Sequence, residues 1–174
     1  MTTTLILGGV KSGKSLLAEQ LATNSGMTVT YIATATADDT EMQQRIASHQ
    51  SRRPEHWQTI ESSINLAATL QQLCQPNHCV LVDCLTLWLT NLLIADDTSV
   101  LENEIEALIN VLPTLAGNII MVSNETSMGI VPLGELSRLY CDQAGILHQR
   151  IAALSDRVIL TVAGLPHVLK GQLP

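Results

Sequence analysis

A glycine-rich segment near the start of the chain constrains the fold more than any other feature. Residues Gly8–Ser15 read GGVKSGKS and fit the pattern G-x-x-x-x-G-K-[ST]. The β-rich run Thr3–Leu7 precedes the segment, and the helical run Leu16–Leu21 follows it. A loop in this setting points backbone N–H groups and the positive end of a helix at phosphate oxygens. It therefore predicts a nucleotide site, with Lys14 at the β- and γ-phosphates and the Ser15 hydroxyl on Mg²⁺.

Along the rest of the chain, β-rich runs alternate with longer helical patterns. The predicted strands are Thr3–Leu7, Thr28–Ala33, His56–Ile60, Cys79–Val82, Asn118–Ser123 and Arg157–Val162. The predicted helices cover about Lys14–Asn24, Thr40–Ser51, Ser62–Gln75, Leu85–Ala95, Leu101–Leu115 and Leu133–Ala153. The first, fourth and fifth strands carry continuous apolar runs rather than alternating ones, as in a parallel sheet covered on both faces. We expect an α/β, three-layer P-loop NTPase fold with a mostly parallel central sheet, formed by residues 1–174 as one domain.

Composition and charge narrow the class of protein. The chain has 174 residues, 46% of them apolar, and a formal charge of −7. Such an acidic chain does not favour nucleic acid, whose backbone is bound by a stripe of Lys and Arg. No apolar run approaches the ~18–20 residues that cross a bilayer, and the residues before the glycine segment lack the basic start of a secretion signal. We therefore expect a cytoplasmic protein without nucleic acid partners or stable membrane insertion.

Two carboxylates follow apolar strands, where side chains from neighbouring strands of a parallel sheet meet. Asp83 ends the run Cys79–Val82, and a carboxylate there is costly to desolvate unless a positive or hydrogen-bonding group meets it. This position favours a role for Asp83 in holding the metal and its water shell. Glu125 lies just beyond Asn118–Ser123 and is either a second carboxylate of the site or a helix-start residue.

A histidine close to two arginines is a candidate nucleophile. His49 lies near the end of the predicted second helix and is followed by Arg52 and Arg53. A neutral imidazole can attack an activated phosphoryl group, and guanidinium groups can neutralise the phosphate oxygens. Cations near a helix end also suit the helix dipole, so capping explains part of this pattern. The spacing leaves both interpretations open.

The residues match a known family from the first strand to the last. The matching segments are Gly8–Ser15, Tyr31–Thr34, Asp39, Glu41, Met42, Arg45, Ile46, His49, Arg53, Pro54, Trp57, Glu61, Asp83, Thr90–Leu93, Ser123–Glu125, Met128–Pro132 and Asp142–Gly145. The chain resembles the bifunctional adenosylcobinamide kinase / adenosylcobinamide-phosphate guanylyltransferase family of cobalamin biosynthesis. The glycine loop is shared by many families, whereas the ordered combination of the other segments is far more specific.

The resemblance implies two reactions on one polypeptide. ATP or GTP phosphorylates the aminopropanol hydroxyl of adenosylcobinamide, and GTP then transfers GMP to that phosphate, which releases pyrophosphate. It further implies a guanylyl-histidine intermediate on His49, a catalytic contribution from Lys14, Mg²⁺ as cofactor and a homotrimer. The implied nucleotide-binding residues are Gly8, Gly9, Val10, Lys11, Ser12, Gly13, Lys14, Ser15, Thr34, Ala35, Thr36, Gln50, Ser51, Arg52, Arg53, Glu61 and Asp83, with Ser15 and Asp83 on the metal.

Two positions depart from the pattern of some relatives. Ser48 precedes His49 where some relatives carry two adjacent histidines, which leaves one candidate nucleophile here. Asp83 stands where other relatives have Glu, which keeps the carboxylate and shortens its reach. Two other classes remain as alternatives: a monofunctional P-loop small-molecule kinase, and a nucleotide-switched binding module. No N-K-x-D motif is present, so the preference for guanine follows from the resemblance alone.

Overall fold

The computed structural model describes residues 1–35, 53–97 and 99–173. The strands are β1 (Thr2–Gly8), β2 (Thr28–Ala33), β3 (Gln58–Glu61), β4 (His78–Asp83), β5 (Asn118–Asn124), β6 (Arg157–Val162) and β7 (Leu165–Lys170). The helices are α1 (Lys14–Asn24), α2 (Leu66–Leu73), α3 (Leu85–Leu93), α4 (Ser99–Val111) and α5 (Glu135–Leu154), and a 3-10 turn spans Leu112–Thr114. The predicted helix Thr40–Ser51 lies outside the described residues. Within those residues, no helix combines the length and apolarity needed to span a membrane.

The seven strands within the described residues form one sheet in the order β3-β2-β4-β5-β1-β6-β7. The first six strands in this order are parallel, and only β7 pairs antiparallel, with β6. The carboxyl ends of β1, β2, β4 and β5 therefore lie along one edge of the sheet. Ligands of open α/β sheets bind at this edge. The mostly parallel sheet predicted from the sequence is confirmed.

The sheet is covered on both faces because its apolar side chains alternate in direction. Leu5 and Leu7 of β1 face a large core shared with α2 to α5, in which Trp88 is fully buried. Ile6 faces the opposite way, into a smaller core with α1 and Trp57. Near-continuous apolar strands are what a sheet buried on two sides requires. The three-layer arrangement predicted from the sequence is thus observed.

Every strand predicted from the sequence is observed, and so is every predicted helix within the described residues, with ends that differ by up to four residues. The helix predicted over Ser62–Gln75 is shorter, because Ser62 still belongs to the chain leaving β3 and donates its backbone N–H to the carbonyl of Ala33 at 2.9 Å. Strand β7 was not predicted. It follows a two-residue turn in which Ala163 and Gly164 have φ of 50° and 79°, which is the backbone that joins a tight hairpin.

Candidate nucleotide-binding site

The Gly8–Ser15 loop connects β1 to α1 as the sequence predicts. Gly13 has φ of 99° at the position before the helix, and its carbonyl accepts the N–H of Leu17 at 3.0 Å. A Cβ at Gly13 would lie 3.1 Å from the Cα of Gly164 in the β6–β7 turn. That turn also donates the Gly164 N–H to the carbonyl of Ser12 at 2.9 Å. The loop is therefore held in a conformation that needs glycine, by contacts from both α1 and the hairpin.

Lys14 is folded over its own loop. Its Nζ donates to the carbonyl oxygen of Gly9 at 2.6 Å, and the residue is only 7% exposed. Burial lowers the pKa of the Lys14 ammonium, while the nearby Cys84 and Asp83 oppose that effect. An anion beside a partly desolvated ammonium stabilises its charged form. The Lys14 ammonium thus lies at the loop where phosphate oxygens are predicted to bind.

Asp83 ends β4 and is held by a tyrosine from the neighbouring strand. The Tyr31 hydroxyl donates to Oδ2 of Asp83 at 3.0 Å. Tyr31 is buried, and burial together with the Asp83 carboxylate raises the pKa of its hydroxyl, so the hydroxyl keeps its proton. Tyr31 is a residue that the sequence analysis did not single out for this role. The signal was available, since a tyrosine in a buried strand must find a partner for its hydroxyl.

Arg53 completes this group. Its guanidinium carbon lies 3.3 Å from the centroid of the Tyr31 ring, a cation–π contact. Its Nη1 donates to the Thr59 hydroxyl at 3.4 Å, and its Nε is buried without a hydrogen-bond partner among the described residues. The guanidinium is therefore fixed by stacking while donor capacity remains for an anion.

Thr34, Ala35 and Glu61 lie at the same edge. Thr34 is fully buried, and its hydroxyl donates to the carbonyl of Cys84 at 2.7 Å and accepts the Cys84 N–H at 2.9 Å. That hydroxyl therefore joins the end of β2 to the start of α3, and the half-buried Ala35 follows it in the chain. Glu61 is exposed at the end of β3, paired in register with Ala33. Thr34, Ala35 and Glu61 remain predicted nucleotide contacts.

Glu125 begins the connection between β5 and α5, ten residues before that helix starts at Glu135. The helix-start interpretation is therefore wrong. Its backbone N–H donates to the carbonyl of Gly8 at 2.9 Å, so the residue lies directly beside the phosphate loop. Its carboxylate accepts the Ser127 N–H at 2.7 Å and lies 3.8 Å from Nδ1 of His148.

The structure thus brings the loop Gly8–Ser15, Thr34, Ala35, Arg53, Glu61 and Asp83 to one edge of the sheet. Thr36, His49, Gln50, Ser51 and Arg52 lie outside the described residues. Arg53 is the first described residue after them, and it contacts the ring of Tyr31, whose hydroxyl is hydrogen-bonded to Asp83.

The residues predicted to hold Mg²⁺ suit that ion. Ser15 offers a hydroxyl and Asp83 a carboxylate, and hard oxygen donors are the ligands that Mg²⁺ takes. Among residues 1–35, 53–97 and 99–173, no group of three or more His, Cys, Asp or Glu side chains could hold a metal by itself. Mg²⁺ at nucleotide sites needs no such group, since phosphates and water supply most of its ligands.

The sheet order, the glycine loop and the strand-end carboxylate define a P-loop NTPase fold. Solved structures support this class at the level of the fold: the P4 protein from bacteriophage phi6 in complex with ADP has a TM-score of 0.50 at 15% identity and covers 95% of this chain and 52% of its own. The RadB recombinase gives a TM-score of 0.51 at 18% identity, with 91% and 73% covered.

Sequence comparison gives the family. The model described as cobinamide kinase / cobinamide phosphate guanyltransferase matches residues 4–169, and the chain belongs to this family. The bifunctional adenosylcobalamin biosynthesis protein CobP of Pseudomonas aeruginosa is 61% identical, with 97% of each chain covered. CobU of Escherichia coli, a protein of the same description, is 38% identical over 92% of this chain and 96% of its own. The resemblance and the enzyme class predicted from the sequence are confirmed.

Proposed function

We propose that this protein phosphorylates adenosylcobinamide with ATP or GTP and then transfers GMP from GTP to the adenosylcobinamide phosphate. The products of the second step are adenosylcobinamide-GDP and pyrophosphate. Family membership supports both activities. The observation that carries the proposal is the phosphate loop with the buried Lys14, facing the edge where the Tyr31–Asp83 hydrogen bond and Arg53 lie.

In the kinase step, the acceptor hydroxyl oxygen bonds to the γ-phosphorus and its proton is released to solvent, while the bond to the β-phosphate oxygen breaks and the nucleoside diphosphate leaves. Backbone N–H groups of Gly8–Ser15 and the Lys14 ammonium hold the phosphates and stabilise charge as it moves to the leaving oxygen. Ser15 and Asp83 would hold Mg²⁺, which when bound neutralises charge on the phosphate oxygens. Tyr31 keeps the Asp83 carboxylate oriented for this task.

In the transfer step, the neutral imidazole of His49 attacks the α-phosphorus of GTP and pyrophosphate leaves. A phosphate oxygen of the acceptor then attacks the same phosphorus, and the P–N bond to His49 breaks. The phosphoramidate keeps the nucleotidyl group activated between the two displacements. Arg53, fixed on Tyr31, and Arg52 supply positive charge for both transition states.

Labelling with [α-³²P]GTP tests the guanylyl-histidine. The wild-type protein should acquire an acid-labile label that adenosylcobinamide phosphate removes. His49→Ala should acquire none, while His56→Ala, which removes an exposed histidine nearby, should label as the wild type does. Label retained by His49→Ala would refute the assignment.

The same experiment separates the alternatives. A monofunctional P-loop small-molecule kinase would show no protein-bound label after incubation with [α-³²P]GTP. A nucleotide-switched binding module would show no multiple-turnover nucleotide consumption that depends on adenosylcobinamide.

We also propose a homotrimer, from the family resemblance. Light scattering would then report a mass three times that of the 18.8 kDa chain.

A further inference from the structure

The part of the β5–α5 connection that follows Glu125, and the cavity beside it, have no part in the phosphate chemistry described above. The cavity has a volume of about 330 Å³ and lies between α3, α5 and this connection. Its walls include Leu93, Ile94, Thr126, Pro132, Tyr140 and Cys141. None of its lining residues carries a formal charge at neutral pH. The cavity thus suits a neutral ligand that is partly apolar.

Next to the cavity, the same connection presents apolar side chains to solvent. Ile130 is 98% exposed and Leu133 97%, and Met128 and Val131 are also largely exposed. Contiguous exposed apolar surface of this kind marks interaction or ligand sites. Met128–Pro132 is also one of the segments through which the sequence resembles its family, although the phosphate chemistry makes no use of it.

This surface is fixed relative to the phosphate loop. At its start, the Glu125 N–H donates to the Gly8 carbonyl at 2.9 Å, and the Glu125 carboxylate accepts the Ser127 N–H at 2.7 Å. At its end, Arg138 donates to the carbonyl of Pro132 at 3.3 Å and to that of Leu133. The exposed apolar residues therefore belong to a loop hydrogen-bonded at both ends, one of which contacts the phosphate loop.

The cavity also offers hydroxyl groups. Thr90, Thr126 and Ser137 line it, and the Tyr140 hydroxyl is buried near Thr86 without reaching hydrogen-bond geometry to any described residue. A buried hydroxyl without a partner is costly, and a ligand amide would satisfy it. Apolar walls with a few hydroxyls are the usual lining of a small-molecule site.

We propose that this cavity and the exposed loop Met128–Leu133 bind the corrinoid part of the acceptor substrate. The inference rests on the proposed function, since both reactions must bring a bulky, amide-substituted acceptor to the phosphate loop. A corrinoid is larger than the cavity, so one amide-bearing edge enters it while the apolar ring lies against Ile130 and Leu133. Glu125, hydrogen-bonded to Gly8, sets the distance between this surface and the reacting phosphate.

Ile130→Asp tests the proposal, because the side chain is fully exposed and its replacement leaves the core intact. The KM for adenosylcobinamide phosphate should rise roughly tenfold or more, the effect of losing about 1.4 kcal/mol of binding. Protein-bound GMP formed without acceptor should match the wild type. Tyr140→Phe should weaken acceptor binding without affecting that label. Leu169→Asp, at an exposed position on β7, is the control and should change neither quantity.

Equilibrium dialysis of adenosylcobinamide, followed by corrinoid absorbance, reports the acceptor site without any turnover. If the wild type binds the corrinoid and Ile130→Asp does not, the proposed acceptor site is supported. This result does not depend on the transfer mechanism, because it holds even if no guanylyl-protein forms. Unchanged affinity in both Ile130→Asp and Tyr140→Phe would overturn the proposal. A second copy of the chain is the other possible occupant of this surface, and light scattering tests for it. If the variants lose corrinoid affinity and their subunits also dissociate, the surface belongs to a subunit contact and the proposal is overturned.

Discussion

At the scale of single residues, the phosphate loop depends on two unusual environments. Nζ of Lys14 lies 2.6 Å from the carbonyl oxygen of Gly9. A bound phosphate oxygen would compete with this carbonyl oxygen for the ammonium. Gly13 has a backbone conformation that side chains rarely adopt and faces Gly164 across a gap that a Cβ would nearly close. Burial removes the Lys14 ammonium from water, and Gly13 strains the backbone. Both cost free energy, as expected at a functional site.

Gly13→Ala should lower the free energy of unfolding by about 1–3 kcal/mol, the cost of one strained backbone position. Gly9→Ala is the matched control, because a Cβ at Gly9 meets open space and its φ is not in the left-handed region. Urea denaturation of both variants measures the difference. Equal stability of the two would contradict the strain argument.

At the scale of secondary structure, α5 is tied to the end of β5 by a buried histidine. Nε2 of His148 lies 2.7 Å from the Ser123 hydroxyl, and its Nδ1 lies 3.8 Å from the Glu125 carboxylate. The structure places His148 in the core, where it is 6% exposed. Its partners could not be predicted from spacing, since Ser123 and His148 are 25 residues apart.

Burial lowers the pKa of His148 below its ordinary value, and Glu125 offsets only part of this effect. The unfolded chain takes up a proton near pH ~6.5, whereas the folded protein does so only at lower pH. The free energy of unfolding should therefore fall as the pH drops below about 6.5, until the folded-state pKa is passed. His148→Gln keeps an amide near Ser123 and lacks this titration. Identical pH dependence of thermal unfolding in wild type and His148→Gln would contradict the prediction.

The elements themselves were largely predictable because their signals are local. Thr28–Ala33 and Arg157–Val162 have the bounds that the sequence predicts, and so does α1. Strand β7 was missed because its side chains are mostly exposed, it contains Pro166, and its pattern shows no alternation. β7 is a strand because it pairs with β6, and this pairing forms only in the tertiary structure, so its own residues do not predict it.

At the scale of the whole molecule, the site is assembled from strand ends that are distant in sequence. The sequence identified Gly8–Ser15 and Asp83 because a loop motif and a strand-end carboxylate are visible in short windows. The hydrogen bond between Tyr31 and Asp83 spans 52 residues and follows only from the neighbouring positions of β2 and β4. The same holds for Glu125 beside Gly8, which depends on β5 lying next to β1.

The central claim is that the Gly8–Ser15 loop grips the triphosphate through Lys14. Titration calorimetry with GTP and Mg²⁺ tests it directly, with Lys170→Ala as a control that removes an exposed lysine distant in sequence. Lys14→Ala should bind GTP roughly ten- to a hundredfold more weakly, the effect of losing one hydrogen bond to a charged group. Lys170→Ala should bind as the wild type does. Wild-type affinity for GTP in Lys14→Ala would contradict the account.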